Sequence, residues 1–227
     1  MHTIPESLQR SAVPLHRRDL SIVASFDCSK SQEHKSVRRF ALRRELCALL
    51  ATHADPSTYL NNNNNYKRKQ QRKGGPLSAI TSFFSASSAI SGSEHAQLFR
   101  TTNNNSSDQV SIHSIVGTGA ESRAAFWSQL ASNSSFAFAP FGRGLDTHRV
   151  WEVLQQGAIP IVLTSSLDRL YSQFPILILK SWSQAFSESF LRMKRDDIIS
   201  RFGSPFHSDV TMKLSLDYWV RVIRETP

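Results

Sequence analysis

The feature that most constrains the fold is one stretch, residues 136–163, in which two short apolar runs flank a loop and a helix. The first run is FAFA at 136–139 and the second is AIPIVL at 158–163. Gly142 and Gly144 lie in the loop, and Gly157 marks the end of the helix. Short apolar runs joined by a helix are typical of parallel strands buried on both faces. The stretch therefore predicts a strand, a loop, a helix and a second strand.

The loop of this unit has the features of an anion-binding site. Two glycines leave the backbone N–H groups of Gly142 to Leu145 open to a ligand, and the following helix adds about half a positive charge at its N-terminus. We therefore expect an anionic ligand at this loop.

The rest of the chain continues the alternation of strands and helices, which predicts an α/β fold with a Rossmann-like parallel sheet. In such sheets ligands bind beyond the carboxyl ends of the strands, where residues 140–145 would lie. The further elements expected are strands at 19–26, 110–116 and 176–179, and helices at 36–53, 120–130, 167–171, 183–192 and 214–223. The first helix would turn Arg38, Arg39, Arg43 and Arg44 largely towards solvent or ligand.

Residues 54–110 break this alternation. They contain two asparagine tracts, a serine-rich run and the basic cluster Lys67–Lys73, and they offer little apolar surface to bury. We expect a disordered low-complexity insert within a domain at 19–223, after an N-terminal tail at 1–18. The net charge of +9 and the basic cluster leave a nucleic-acid-binding protein as an alternative, although a charge run of this kind is usually a solvated loop.

Cysteine usage and hydropathy restrict the class further. Cys28 and Cys47 are too few for a disulfide framework and lack the short spacing of a zinc site, so neither a disulfide scaffold nor a structural metal is expected. No segment has about eighteen consecutive apolar residues, and no targeting signal is visible.

The helix after the loop carries its charged residues on one face. His148 and Glu152 are four residues apart and Arg149 and Glu152 three apart, so they share one side of the helix. Arg149 could bind phosphate oxygens while Glu152 accepts hydrogen bonds from ribose hydroxyls. The alternative is that Arg149 and Glu152 only form a surface ion pair and that Asp146 caps the helix.

At Pro140 to Pro160 the chain resembles the exostosin-like glycosyltransferases. The similarity covers residues 125–223 and continues through LDRLY at 167–171, PILI at 175–178 and Trp182. The residues that carry the match in the loop and helix are Pro140, Gly142, Gly144, Asp146, His148, Arg149, Trp151, Glu152, Leu154, Gly157, Ile159 and Pro160.

The resemblance implies the C-terminal, donor-binding half of a GT-B glycosyltransferase. The activity it implies is transfer of a sugar from a nucleoside diphosphate donor to a glycan hydroxyl, without a further cofactor. A divalent metal is not indicated, because the chain has no Asp-x-Asp triplet. By resemblance, the nucleotide-sugar-binding residues are Gly142, Arg143, Gly144, Asp146, Thr147, His148, Arg149 and Glu152.

The acceptor half, which usually supplies the catalytic base in this family, is not recognisable in the chain, and the catalytic residue is therefore unassigned. A truncated or non-catalytic nucleotide-sugar-binding fragment is accordingly a second alternative. Family resemblance implies a Golgi location behind a membrane anchor, and no such anchor is visible in the sequence.

Overall fold

The computed structural model describes residues 12–26, 28, 38–53, 97–101, 108, 110–116 and 120–225. The elements follow one another as a short 3-10 helix (Leu15–Arg17), β1 (Asp19–Ala24), α1 (Arg38–His53), β2 (Gln97–Thr101), β3 (Ser111–Val116), α2 (Ala120–Ser132), β4 (Ser134–Phe138), α3 (His148–Gln155), β5 (Ile159–Leu163), α4 (Asp168–Tyr171), β6 (Leu177–Leu179), a second 3-10 helix (Trp182–Phe186), α5 (Glu188–Phe202), α6 (Ser208–Lys213) and α7 (Leu216–Glu225).

These strands form one sheet in the order β2-β3-β1-β4-β5-β6. The five strands from β3 to β6 pair in parallel, and β2 pairs antiparallel with β3 at the edge. The α/β class with a Rossmann-like parallel sheet is therefore confirmed. The strands β4 and β5 are buried at every position, as their continuous apolar runs predict.

Helices cover both faces of this sheet. On the first face, α1, the second 3-10 helix and α5 pack against one side of the strands, with Leu46, Trp182 and Leu191 among the buried residues. On the second face, α2 and α3 pack through Phe126 and Val153, and a neighbouring cluster on the same face includes Val150 of α3. The central strands β4 and β5 are thus shielded from water on both sides.

Arg18 joins the N-terminal segment to the ends of two helices. Its Nε donates to the carbonyl of Val13 at 2.5 Å, its Nη1 to the carbonyl of Leu130 at 2.5 Å, and its Nη2 to the carbonyl of Gln156 at 2.8 Å. Leu130 lies in the last turn of α2, and Gln156 is the C-cap of α3. A cation is favourable there because the last helical carbonyls lack partners and the helix dipole is negative at this end.

Several predictions about element positions need correction. The strand β2 lies inside the range 54–110 that the sequence assigns to a disordered insert, because an edge strand needs only one partner and few apolar residues. The helix expected at 183–192 is instead a 3-10 helix followed by α5, which starts where the Ser187 hydroxyl accepts from Phe190 N and runs to Phe202. Within the predicted tail at 1–18, residues 12–18 are described and form the first 3-10 helix and its flanks, with Leu15 and Arg18 buried. Residues 1–11 of the tail and residues 54–96, 102–107 and 109 of the insert, which include the basic cluster at 67–73, lie outside the described residues.

Candidate functional site

The candidate loop lies where the order of the parallel strands reverses. From β1 the chain reaches β3 on one side of β1 and then β4 on the other side. The helix α1 follows β1 on the first face, and α3 follows β4 on the second face. A crevice forms at the carboxyl ends of two strands whose connections leave on opposite faces, and such crevices are the usual ligand sites of open α/β sheets. Residues 139–147 follow β4 directly, so the loop lies at the carboxyl end of β4, as predicted.

The loop is anchored by apolar residues and exposes its polar ones. Pro140 and Phe141 are buried, and Phe141 belongs to the core of the first face. Arg143 is exposed. A Cβ added to Gly142 would lie 3.6 Å from Thr147 Cγ2, and one added to Gly144 would lie 3.4 Å from the Asp146 carbonyl oxygen. Neither glycine has a left-handed φ, so the backbone itself does not require them. Their expected role in letting a ligand approach the backbone stays a prediction.

Asp146 fixes the loop against two neighbouring helices. Its Oδ1 accepts hydrogen bonds from Trp151 Nε1 at 3.0 Å and from the Tyr171 hydroxyl at 3.1 Å. Burial, and then the charge and the hydrogen bond of Asp146, raise the pKa of Tyr171. The carboxylate therefore does not cap α3, whose N-cap is Thr147. In this structure Asp146 holds the shape of the loop, and its expected contact with a nucleotide stays a prediction.

One polar group at the start of α3 has no hydrogen-bond partner among the described residues. Thr147 makes no side-chain cap hydrogen bond, and within the described part of the chain its buried Oγ1 has no hydrogen-bond partner. An N-cap hydroxyl normally accepts from the backbone two or three residues ahead, so this group stands out. His148, the first residue of α3, is exposed. Both residues lie at the positive end of the helix dipole, where an anion is stabilised.

Arg149 and Glu152 share one face of α3 and form an ion pair. Arg149 Nη1 lies 3.2 Å from Glu152 Oε2, and the two side chains are 21% and 17% exposed. The Arg149 guanidinium also lies over the Phe126 ring of α2, 3.9 Å from its centroid. Burial lowers the pKa of Arg149, and the charge of Arg43 lowers it further, whereas Glu152 opposes both effects. The ion pair between Arg149 and Glu152 that the alternative interpretation expects is therefore present. It is largely buried, and Arg149 is stacked on the Phe126 ring, so it is not a mobile surface contact.

Arg43 is a residue of this region that the sequence analysis placed on the solvent or ligand side of the first helix but did not include among the binding residues. It lies on α1, and its guanidinium carbon is 5.3 Å from the centroid of the Phe26 ring. Phe26 follows the carboxyl end of β1. The signal that could have found Arg43 is its spacing of three residues from both Phe40 and Leu46, which are buried.

Cys28 and Cys47, which the sequence analysis judged too few for a disulfide framework, form a single disulfide with a Cα–Cα distance of 6.0 Å. The bond joins the segment after β1 to the middle of α1. Only 19 residues separate the two cysteines in sequence, but pairing depends on the turn that brings α1 back over the sheet. A count of cysteines carries no information on that turn.

Two cavities in the described part of the chain lie away from the candidate loop. One of about 390 Å³ is lined by residues at the amino ends of β1 and β3 and by α5, among them Asp19, Ser111 and Arg192. The other lies beside the N-terminal segment and Gly157. The candidate loop thus lies at the opposite, carboxyl edge of the sheet. Among the described residues, no group of three or more His, Cys, Asp or Glu side chains is placed to hold a metal ion.

Comparison with known proteins gives no assignment. No protein-family model matches the sequence, and no curated protein matches it. Within the described ranges, no helix has both the length and the apolar character needed to cross a membrane. Fold and site together define an α/β domain. Its candidate anion-binding loop lies at the carboxyl edge of the parallel sheet, where the order of the strands reverses.

Proposed function

We propose that this chain contains the donor-binding domain of a glycosyltransferase, which transfers a sugar from a nucleoside diphosphate to a hydroxyl of a glycan. The observation that carries the proposal is the position of Arg149. It lies in the first turn of α3, directly after the loop at the β1/β4 crevice. The resemblance of residues 140–160 to exostosin-like enzymes supplies the reaction class.

Three groups at this edge would bind the diphosphate. The first is the loop backbone, the second is the N-terminus of α3, and the third is Arg149, with exposed Arg143 as a further cation. Arg149 is held by Phe126 and Glu152 before any ligand binds. A guanidinium that is already fixed loses little conformational entropy on binding, so more of its interaction energy reaches the ligand.

Glu152 would bind the ribose without releasing Arg149. A carboxylate has about four lone-pair sites, and the contact with Arg149 uses Oε2. Hydroxyls of the ribose can donate to the other positions. Arg149 and Glu152 would then bridge the diphosphate and the ribose from a single helix face.

These groups would act mainly on the leaving group. When the sugar departs, the nucleoside diphosphate gains negative charge, and fixed positive groups stabilise that charge more in the transition state than in the ground state. The proposal needs no metal. It leaves the base that activates the acceptor hydroxyl to a residue outside the site described above, and it places the protein, by resemblance alone, in the Golgi.

The proposal is tested by isothermal titration of the 227-residue chain with UDP, GDP and their sugars. Arg149→Ala and Glu152→Ala should each weaken binding of the preferred nucleoside diphosphate by about 1 to 3 kcal/mol, because each removes charge-assisted hydrogen bonds. Glu152→Gln should retain part of the affinity, since its amide oxygen still accepts from ribose.

The matched control is Arg192→Ala. This residue is exposed and lines the cavity at the amino edge of the sheet, so its loss changes the net charge equally without touching the candidate site. Unchanged affinity in both the Arg149 and Glu152 variants would remove α3 from the site. Binding of UDP or GDP without transfer to any glycan would favour the non-catalytic alternative.

A further inference from the structure

The side chain of Arg43 is held on the inner side of α1. Phe40, Leu46 and Leu50 of the same helix are buried. Arg43 is three residues from Phe40, three from Leu46 and seven from Leu50, so all four lie on one side of the helix. Its guanidinium lies over the Phe26 ring at 5.3 Å. Solubility does not explain an arginine on the packed side of a helix, so we expect a specific role for this side chain.

The Phe26 ring puts Arg43 beside the candidate loop. In the sheet Val23 of β1 is level with Ala137 of β4. Phe26 is three residues beyond Val23, and Pro140 is three residues beyond Ala137. Phe26 and Pro140 therefore lie at the same level, just beyond the carboxyl ends of two neighbouring strands. Arg43 therefore borders the crevice from the α1 side, and Arg149 borders it from the α3 side.

Burial lowers the pKa of Arg149, and the positive charge of Arg43 lowers it further, so the two guanidiniums interact across this edge of the sheet. Glu152 forms an ion pair with Arg149. An anion with more than one negative charge would attract both guanidiniums, whereas a neutral ligand would not.

The disulfide ties this arrangement together. Cys47 is one helical turn after Arg43, and Cys28 is two residues after Phe26. The covalent bond therefore joins the helix that carries the cation to the segment that carries the ring beneath it. The bond therefore limits how far Arg43 and the Phe26 ring can move apart.

We propose that Arg43 is a second diphosphate-binding cation opposite Arg149, and that the Cys28–Cys47 disulfide positions it by holding α1 against the segment of Phe26. The inference rests on the proposed nucleoside diphosphate site and adds to it a cation from α1, the helix on the other face of the sheet. It also assigns the disulfide a role in ligand binding besides its effect on stability.

The test compares nucleotides with and without phosphates. The oxidised 227-residue chain is titrated with UDP, GDP, uridine and guanosine, as wild type, Arg43→Met, Arg43→Lys and Arg192→Met. Arg43→Met should weaken binding of the preferred diphosphate about tenfold or more and leave the nucleoside unchanged. Arg43→Lys should show a smaller loss, because an ammonium keeps the charge but not the planar pair of donors. Arg192→Met should bind as wild type.

The disulfide is tested by a double-mutant cycle. Replacing both cysteines, Cys28→Ser with Cys47→Ser, should weaken diphosphate binding in the protein that has Arg43 and should have no further effect in Arg43→Met. Circular dichroism checks that each variant is folded, and Arg43→Lys carries the comparison if Arg43→Met does not fold.

The outcomes separate this inference from the proposed function. Equal diphosphate affinity in wild type and Arg43→Met would overturn the inference while leaving the Arg149 site intact. Equal losses for diphosphate and nucleoside would also overturn it, because they would show that Arg43 only supports the fold. Absence of diphosphate binding in the wild type would overturn the proposed function and this inference together.

Discussion

Replacing Arg18 by Met tests the most connected polar contact of the fold. Met keeps an apolar stem of similar length but removes the donors to the carbonyls of Val13, Leu130 and Gln156. Hydrogen bonds to a charged group contribute about 1.5 to 3 kcal/mol each, so the three sum to about 4.5 to 9 kcal/mol. Burial opposes them, since it lowers the pKa of Arg18 to about 10, which corresponds to about 3 kcal/mol. The net contribution to folding is then about 1.5 to 6 kcal/mol.

We therefore expect Arg18→Met to lower the free energy of unfolding by about 1.5 to 6 kcal/mol, and for a chain of this size Tm falls by about 2 to 4 °C for each kcal/mol. Arg18→Lys should lose less, because it keeps the charge at the helix ends but has a single ammonium group to share among three carbonyls. The free energy is measured by urea denaturation followed by circular dichroism, with thermal unfolding as a second measure.

Arg201→Met is the control, because this arginine is exposed near the end of α5. Its removal should change stability by less than about 0.5 kcal/mol. A loss below about 0.5 kcal/mol for Arg18→Met as well would refute the reasoning, since it would show that water satisfies the carbonyls once the guanidinium is gone.

Three further predictions concern stability. Gly157→Ala should cost about 1 to 2 kcal/mol in urea denaturation, because φ is +66° and the new Cβ would lie 3.2 Å from Arg18 Nη2; an unchanged midpoint would contradict this. Replacing both Cys28 and Cys47 by Ser should lower stability by about 3 kcal/mol, and a reductant should then no longer affect Tm, whereas it should lower Tm in the wild type. Tyr171 has a raised pKa in the folded protein, so its contribution is present below the unfolded pKa of about 10 and is lost as pH rises further. Wild type should therefore lose stability between pH 9 and 11 (about one unit either side of that value) more steeply than Tyr171→Phe, and equal slopes would contradict this.

The sequence predicts the centre of the fold well because its signals there are local. The strands β4 and β5 are continuous apolar runs, and Gly157 ends α3 with the left-handed φ that a helix C-terminus favours. Spacing alone also places Arg149 and Glu152 on one helix face, as the structure has them.

The features that the sequence did not predict depend on contacts between distant segments. Cys28 and Cys47 pair only because α1 returns over the sheet. Asp146 is a plausible ligand or cap by sequence, yet it binds Trp151 and Tyr171, the second of which lies 25 residues further along the chain. Arg43 was expected to face solvent or ligand, and only the burial of its helical neighbours shows that it is held on the packed side of α1.

The contacts of Arg18 also set an order for assembly during synthesis. The oxygens that compensate its burial belong to residues 13, 130 and 156, so the last of them is made 138 residues after the arginine. Until residue 156 has left the ribosome, Arg18 lacks one of the three carbonyls that compensate the burial of its charge. Nascent chains that pause before residue 156 would therefore keep their N-terminal segment open to chaperones and proteases.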